Sequence, residues 1–103
     1  MTTMYPCERV DQSFIAGAPF RFSNSVDLVI TPEQLFEVLA DADAWPKWAK
    51  VITRVTWTSP KPYGIGTTRT VDMLGGIIGD EEFLAWEPNT YLAFRFNTCS
   101  NKA

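Results

Sequence analysis

Residues 26–48 read VDLVITPEQLFEVLADADAWPKW, and this stretch decides the fold of the chain. Its beginning continues a period-two pattern that starts six residues earlier. The residues on one face of this pattern are Phe20, Phe22, Val26, Leu28 and Ile30, with Asn24 as the exception. Alternation of this kind is typical of a strand with one buried face, so the pattern predicts a half-buried strand of about ten residues before Thr31.

A capped amphipathic helix is predicted directly after this strand. Thr31 is a good N-cap because its hydroxyl accepts a hydrogen bond from the first turn, and Pro32 suits the first helical position. Gln34 is placed to reach back to the Thr31 amide and complete a capping box. The apolar stripe that follows consists of Leu35, Val38, Leu39 and Ala42, with Phe36 on its flank.

Residues 43–48 predict a second, shorter helix. Asp43 is placed to cap it, and Pro46 falls within the first turn, where proline is tolerated. Trp45 and Trp48 stand three residues apart and should project from the same side. Two compatible interpretations remain open: both indoles close the end of the core, or at least one of them lines a ligand cavity.

The rest of the chain predicts an antiparallel meander of strands at residues 51–57, 67–74, 77–87 and 91–98. Gly75 and Gly76 are a strong signal for a two-residue hairpin turn. With one strand before the two helices, the order is β-α-α-β-β-β-β, which excludes a βαβ parallel sheet. The fold class expected from the sequence is therefore an antiparallel α+β domain.

Composition limits the classes of function. The chain has 103 residues, which suits one domain, and 46% of them are hydrophobic, which favours a packed interior. A net charge of −3 with scattered basic residues gives no electrostatic footprint for nucleic acid. The lack of histidine excludes histidine-based metal ligation and every Ser-His or Cys-His nucleophile pair within this chain. Asp41 and Asp43 stand where helix ends and caps favour aspartate, so neither a metal nor a cofactor is assigned.

Residues 1–19 predict an irregular N-terminal extension, because they have no clear period and contain Pro6, Gly17 and Pro19. They lack the basic and apolar regions of a signal peptide. No apolar run approaches the ~18–20 residues of a membrane span. We therefore expect a cytoplasmic protein in which Cys7 and Cys99 are free thiols, since a bridge between them would require secretion.

The order and spacing of five short segments resemble those of a known protein family. The segments are residues 26–41 (VDLVITPEQLFEVLAD), 45–48 (WPKW), 64–67 (GIGT), 81–88 (EEFLAWEP) and 92–96 (LAFRF). The chain resembles the START-like, or SRPBCC, superfamily, specifically its polyketide cyclase/dehydrase and lipid-transport branch. The resemblance covers residues 22–98.

This resemblance implies a helix-grip fold, in which a curved antiparallel sheet wraps a long C-terminal helix and a hydrophobic ligand lies between them. The sequence stops at Ala103, after the fifth strand, where the family continues with two more strands and the long helix. Residues 20–103 would then be part of such a domain, and we expect a truncated chain. If the chain is natively this short, we expect a homo-oligomer or another partner to cover its concave face.

The ligand cavity is expected to be lined by the two tryptophans of the short helix and by the strand faces with the better apolar alternation. Period two places Arg69 on the face of Val71 and Met73, which makes it the best candidate for a polar group in the pocket. A slip of one residue would reverse this assignment. The predicted ligand-binding residues are Trp45, Trp48, Trp57, Arg69, Val71, Met73, Phe94 and Phe96, and no catalytic residue is assigned.

We expect the other ionisable strand residues on a solvated outer face that carries cross-strand ion pairs. They are Arg54, Asp72, Glu81, Glu82 and Arg95. The alternative is that one of them faces the cavity, where burial would raise the pKa of a carboxylate and let it act as a general acid or base. In the strand at 77–87, period two groups Phe83 with Ala85 and Leu84 with Trp86, so that both faces are mixed.

Three functions are compatible with the sequence. The first is the binding or transport of a hydrophobic small molecule or lipid, which the family resemblance and the absence of nucleophile pairs favour. The second is a polyketide cyclase or dehydratase in which Arg69 or one carboxylate assists. The third is a partner-binding structural module that uses the open concave face. A non-enzymatic binding protein is the function we expect.

Overall fold

A computed structural model describes residues 2–101 as a five-stranded antiparallel sheet with short helices packed against it. The strands are β1 (Tyr5–Pro6), β2 (Ile52–Trp57), β3 (Thr68–Met73), β4 (Ile77–Glu87) and β5 (Tyr91–Cys99). The α-helices are α1 (Phe14–Gly17), α2 (Pro32–Ala40) and α3 (Trp45–Trp48), and a 3-10 turn at Ala42–Ala44 joins the last two. The strand order β1-β5-β4-β3-β2 confirms the antiparallel α+β class. Met1 of the predicted extension and the last two residues of the predicted partial domain lie outside the described residues.

The start of α2 confirms the predicted capping box. The Thr31 hydroxyl accepts a hydrogen bond from the Gln34 amide at 3.1 Å, and the Gln34 side chain accepts one from the Thr31 amide at 2.9 Å. These two bonds satisfy backbone donors that have no partner within the helix. Pro32 occupies the first turn, as expected.

The predicted cap of the second helix is wrong by two residues. Asp41, not Asp43, provides the cap, because its carboxylate accepts a hydrogen bond from the Asp43 amide at 3.0 Å. The 3-10 turn at Ala42–Ala44 starts directly after Asp41 and leads into α3, which has no side-chain cap of its own. The sequence pattern did not predict this 3-10 turn. Because the turn precedes α3, the capped position lies at the start of the turn and not at the start of the helix.

The strand predicted at residues 20–30 is wrong. In the described structure this segment pairs with no strand, and Phe20, Phe22 and Val26 are 85%, 83% and 77% exposed. Alternation of apolar and polar residues suits a segment to a sheet with one buried face. A strand forms, however, only where a neighbouring strand completes its backbone hydrogen bonds. The neighbour of β5 comes instead from the N-terminal residues, since Tyr5 and Pro6 stand opposite Cys99 and Thr98.

The β3–β4 hairpin contains Gly75 and Gly76, as predicted, but it is one residue longer than expected. Met73 pairs with Ile77, so Leu74 joins the two glycines in a three-residue connection. Both glycines have positive φ angles, 84° and 77°, which favour glycine because a Cβ atom would be strained there.

The small core lies where α3 and the preceding turn pack on β2 and β3. Trp45, Val55 and Val71 are buried at its centre, and Leu39, Ala42, Ala49, Ile52 and Met73 pack around them. Burying one such side chain stabilises the fold by about 1.5–3 kcal/mol. The face of the sheet that carries Val55 and Val71 and contacts α3 is called the inner face below.

No helix within residues 2–101 is long and apolar enough to cross a membrane. Cys7 and Cys99 are both free and half-buried.

Candidate functional site

Arg69 lies at the centre of the inner face. On β3 it stands opposite Trp57 of β2 and Glu81 of β4, and only 2% of it is exposed. Its Nε atom donates a hydrogen bond to Glu81 Oε1 at 2.6 Å, which forms an ion pair buried beneath aromatic side chains. The register of β2 with β3 places Arg69 on the same face as Val71, as expected.

Four aromatic rings surround the Arg69 guanidinium. The distances from its Cζ atom to the ring centroids are 4.7 Å for Trp45, 5.5 Å for Trp57, 4.9 Å for Phe83 and 5.0 Å for Phe94. A guanidinium within about 6 Å of a ring centroid is attracted to the negative face of the ring. The rings therefore offset part of the cost of removing this charge from water.

One donor of Arg69 has no acceptor. The Nη1 atom is buried and has no hydrogen-bond partner among the described residues. A buried donor without an acceptor costs about 1–3 kcal/mol, and most buried polar groups avoid this cost. The inner face thus holds a strong donor whose hydrogen-bonding capacity is unused.

Glu81 was expected on the solvated outer face, and this expectation is wrong. Glu81 is 4% exposed and stands directly opposite Arg69, and residues that oppose each other in a ladder share a face. Burial raises the pKa of the Glu81 carboxyl above its usual value, although the charge and hydrogen bond of Arg69 act to lower it. Sequence alternation alone could not place Glu81, because the pairing of β3 with β4 was needed.

A register shift in β4 joins aromatic residues that period two had separated. Between Phe83 and Ala85, β4 gains one residue relative to β5, so Phe83 and Trp86 come to lie on the same face. Their rings meet edge to face with centroids 5.0 Å apart. The predicted grouping of Phe83 with Ala85 and of Leu84 with Trp86 is therefore wrong.

The aromatic surface also includes residues that were not among the predicted ligand-binding residues. Tyr63 stacks on Trp57 with centroids 4.1 Å apart, and Phe36 of α2 meets Trp86 at 5.3 Å. We call the connected rings the aromatic network; it comprises Phe36, Trp57, Tyr63, Phe83, Trp86 and Phe94. The sequence pattern indicated only which residues share a face of a strand. It could not predict that Tyr63 of a loop, Phe36 of a helix and Trp86 beyond the register shift contact this face.

The two tryptophans of α3 differ in environment. Their ring centroids are 4.5 Å apart, which confirms that they project from one side of the helix. Trp45 is 8% exposed, and its indole nitrogen donates to the Leu39 carbonyl at 2.9 Å. Trp48 is 50% exposed, so the interpretation that both indoles close the core holds only for Trp45.

Phe94 and Phe96 of β5 leave much of their surface uncovered. They stand opposite Phe83 and Glu81, and they are 41% and 37% exposed. Of the remaining predicted ligand-binding residues, Val71 belongs to the buried core cluster and Met73 packs against it. The inner face is therefore closed near α3 and open towards β5.

Two clefts border α2 beside the aromatic network. One of about 580 Å³ lies between α2 and the turn that joins β4 to β5, and Phe36 and Leu92 are among its lining residues. The other, of about 500 Å³, is bordered by Trp57, Lys61 and Tyr63. Arg69 lines neither cleft, since the rings described above cover it.

The outer face of the sheet carries the expected cross-strand ion pairs. Arg54 contacts Asp72 at 2.9 Å, and Arg95 contacts Glu82 at 3.6 Å. The Arg54 side chain is 75% exposed, and an ion pair at the surface contributes about 0–1 kcal/mol to stability. They are consistent with a structural role for the outer face.

Comparison with known proteins agrees with the sequence resemblance. The model of one family, described as polyketide cyclase / dehydrase and lipid transport, matches residues 19–103. This match covers α2, α3, the four-stranded meander and all the residues of the inner face.

The chain is also similar to uncharacterized proteins of Mycobacterium tuberculosis and Mycobacterium bovis. Each is 70% identical to it over 100 residues, which is 97% of this chain and 60% of the relative. The chain thus spans about 60% of the length of the curated relatives that it matches. No solved structure matches it with significance.

Proposed function

The chain belongs to the polyketide cyclase/dehydrase and lipid transport family, and on this premise we propose that its inner face binds a hydrophobic small molecule or lipid. The observation that carries this proposal is the aromatic network, which remains open at Phe94. Binding sites for small molecules are mostly apolar and contain a few polar groups that orient the ligand. The inner face has this composition, with Arg69 and Glu81 as its buried charged groups.

For the whole protein we propose the helix-grip arrangement, in which the ligand lies between the sheet and a covering helix. The sheet of this chain would form one wall of that cavity. Its open region near β5, with Phe94 and Phe96 about two-fifths exposed, would be the part that contacts the ligand most directly. Each Å² of apolar surface that the ligand covers would contribute about 25 cal/mol before the costs of association.

Titration with phenylnaphthylamine, a neutral dye that fluoresces in apolar surroundings, tests this function. We expect saturable binding to the wild-type chain and a clear loss of affinity in Phe94→Ala. Ile65→Ala is the matched control, because Ile65 is a 77% exposed apolar residue outside the aromatic network. Absence of saturable binding, or equal losses in both variants, would rule out the inner face as the binding surface.

A cyclase or dehydratase is the second candidate, and the buried Arg69–Glu81 pair favours it. A carboxyl group whose pKa is raised by burial can hold a proton at higher pH and act as a general acid. In such an enzyme Glu81→Gln should lower turnover of a polyketone substrate while phenylnaphthylamine binding persists. Turnover that is unchanged in Glu81→Gln and in an Arg69 variant would exclude a catalytic role for this pair.

The cytoplasmic location stays a prediction, and so does the homo-oligomer that we expect if the chain is natively this short. Light scattering of the purified chain checks the oligomer, and fractionation of cells that produce it checks the location.

A further inference from the structure

We propose that the ligand of the inner face carries an anionic oxygen, such as a carboxylate, which Arg69 Nη1 binds in competition with Glu81. The inference rests on the proposed function and names the chemical class of the ligand. It predicts that an apolar molecule with an acidic group binds better than its neutral counterpart.

The unused donor of Arg69 is the first step of the argument. Nε is engaged by Glu81 at 2.6 Å, whereas Nη1 is buried without an acceptor in the described part of the chain. Guanidinium groups donate hydrogen bonds and accept none, and their strongest partners are oxyanions. An anionic oxygen is therefore the group that gains most from reaching Nη1.

The route to this donor passes the aromatic rings. Among the four rings around the guanidinium, Trp45 and Phe83 are 8% and 1% exposed, whereas Phe94 is 41% exposed. Phe94 can therefore move with the smallest loss of packing, and exposed side chains change rotamer within nanoseconds. A ligand whose apolar part packs against the shifted Phe94 ring would bring its acidic end to Arg69.

Charge balance decides the role of Glu81. Arg69 and Glu81 form a neutral pair, and both are nearly completely buried. A second anion at the same guanidinium would be repelled by the Glu81 carboxylate, since two carboxylates that share a site cannot both stay charged without cost. Removing the charge of Glu81 while retaining its shape should therefore strengthen the binding of an anionic ligand.

Two dyes of the same skeleton test the proposal. Anilinonaphthalene sulfonate is anionic, and phenylnaphthylamine is the same ring system without the sulfonate. We expect the wild-type chain to prefer the anionic dye by roughly tenfold, the size typical of a hydrogen bond to a charged group. Glu81→Gln should bind the anionic dye several-fold more tightly, and its preference for the anionic over the neutral dye should exceed that of the wild-type chain.

The double variant Arg69→Met, Glu81→Gln removes both charges together and so avoids an unpaired buried carboxylate. It should bind the two dyes with equal affinity. Circular dichroism checks that this variant and Glu81→Gln are folded; if they are not, the affinities of the wild-type chain for the two dyes still decide the question.

The outcomes separate this inference from the proposed function. If neither dye binds the wild-type chain, both fail. If the chain binds both dyes with equal affinity, or if Glu81→Gln weakens the binding of the anionic dye, the inference is overturned and the proposed function stands.

Discussion

The Nε atom of Arg69 lies 2.6 Å from Oε1 of Glu81, and the side chains of this pair are 2% and 5% exposed. The two residues occupy directly opposed positions on β3 and β4, so their contact is a consequence of strand register. The same pair is the polar centre of the inner face. Each buried charge is stabilised by the other, so the loss of one partner leaves the other unpaired and destabilises the fold.

Removing one partner of this pair should be strongly destabilising. Arg69→Met leaves a buried carboxylate without its counter-charge, and we expect a loss of about 3–5 kcal/mol in the free energy of unfolding. The double variant Arg69→Met, Glu81→Gln should recover most of this loss. Urea denaturation measures both. Arg54→Met is the control, since the Arg54 side chain is 75% exposed and its pair with Asp72 should contribute less than about 1 kcal/mol. Equal losses in the two single variants would contradict the prediction.

Glu81 should also make stability depend on pH in a particular direction. Because burial raises the pKa of Glu81 in the folded protein, its proton stabilises the folded state. This contribution is present below the ordinary glutamate pKa and is lost as the pH rises through the folded-state pKa. The wild-type chain should therefore lose stability relative to Glu81→Gln as the pH rises over that interval, as measured by urea denaturation at several pH values.

Asp11 provides a control of opposite sign for the pH measurement. The Ser13 hydroxyl and amide donate hydrogen bonds to the Asp11 carboxylate and lower its pKa. The stability that this carboxylate contributes is present above the ordinary aspartate pKa and is lost as the pH falls through the folded-state pKa. Relative to Asp11→Asn, the wild-type chain should thus gain stability as the pH rises. The same sign for both residues would refute the assignment at Glu81.

The capping position after α2 can be tested with two neighbouring aspartates. Asp41→Ala should cost about 1 kcal/mol, because it removes the carboxylate that accepts from the Asp43 amide. Asp43→Ala should have little effect, since the Asp43 side chain has no hydrogen bond within residues 2–101. Thermal unfolding of the two variants compares these effects. A larger loss of stability in Asp43→Ala than in Asp41→Ala would instead support Asp43 as the cap, as predicted from the sequence.

Gly79 should resist substitution because of the ring above it. A Cβ atom at this position would collide with the Phe96 ring, so Gly79→Ala should destabilise the sheet by about 1–3 kcal/mol. Phe96→Ala should relieve most of this penalty in a double-mutant cycle. Gly64→Ala serves as the control, because nothing lies within 4 Å of its added Cβ atom. No coupling between positions 79 and 96 would contradict the contact.

Local signals account for what the sequence predicted well. The capping box of Thr31 and Gln34 forms within one turn of chain, so its residues determine it without help from distant segments. The β3–β4 hairpin depends in the same way on Gly75 and Gly76, whose positive φ angles few other residues tolerate.

Long-range pairing accounts for the failures. The alternation at residues 20–30 predicted a strand, but β5 pairs with Tyr5–Pro6, and the alternating segment finds no ladder within residues 2–101. Glu81 was assigned to the outer face because the pattern of one strand does not predict which residue of the neighbouring strand lies opposite each of its own. The extra residue of β4 near Leu84 reversed the face of Trp86 for the same reason.

The sequence by itself determined the capped helix, the antiparallel meander, the family and the position of Arg69 beside Val71. Each of these follows from patterns within one segment or from the order of segments. Only the tertiary structure decided that Glu81 faces Arg69, that four rings enclose the guanidinium and that Nη1 lacks an acceptor. These features depend on the register of three strands and on the packing of α3, which bring together residues distant in the chain.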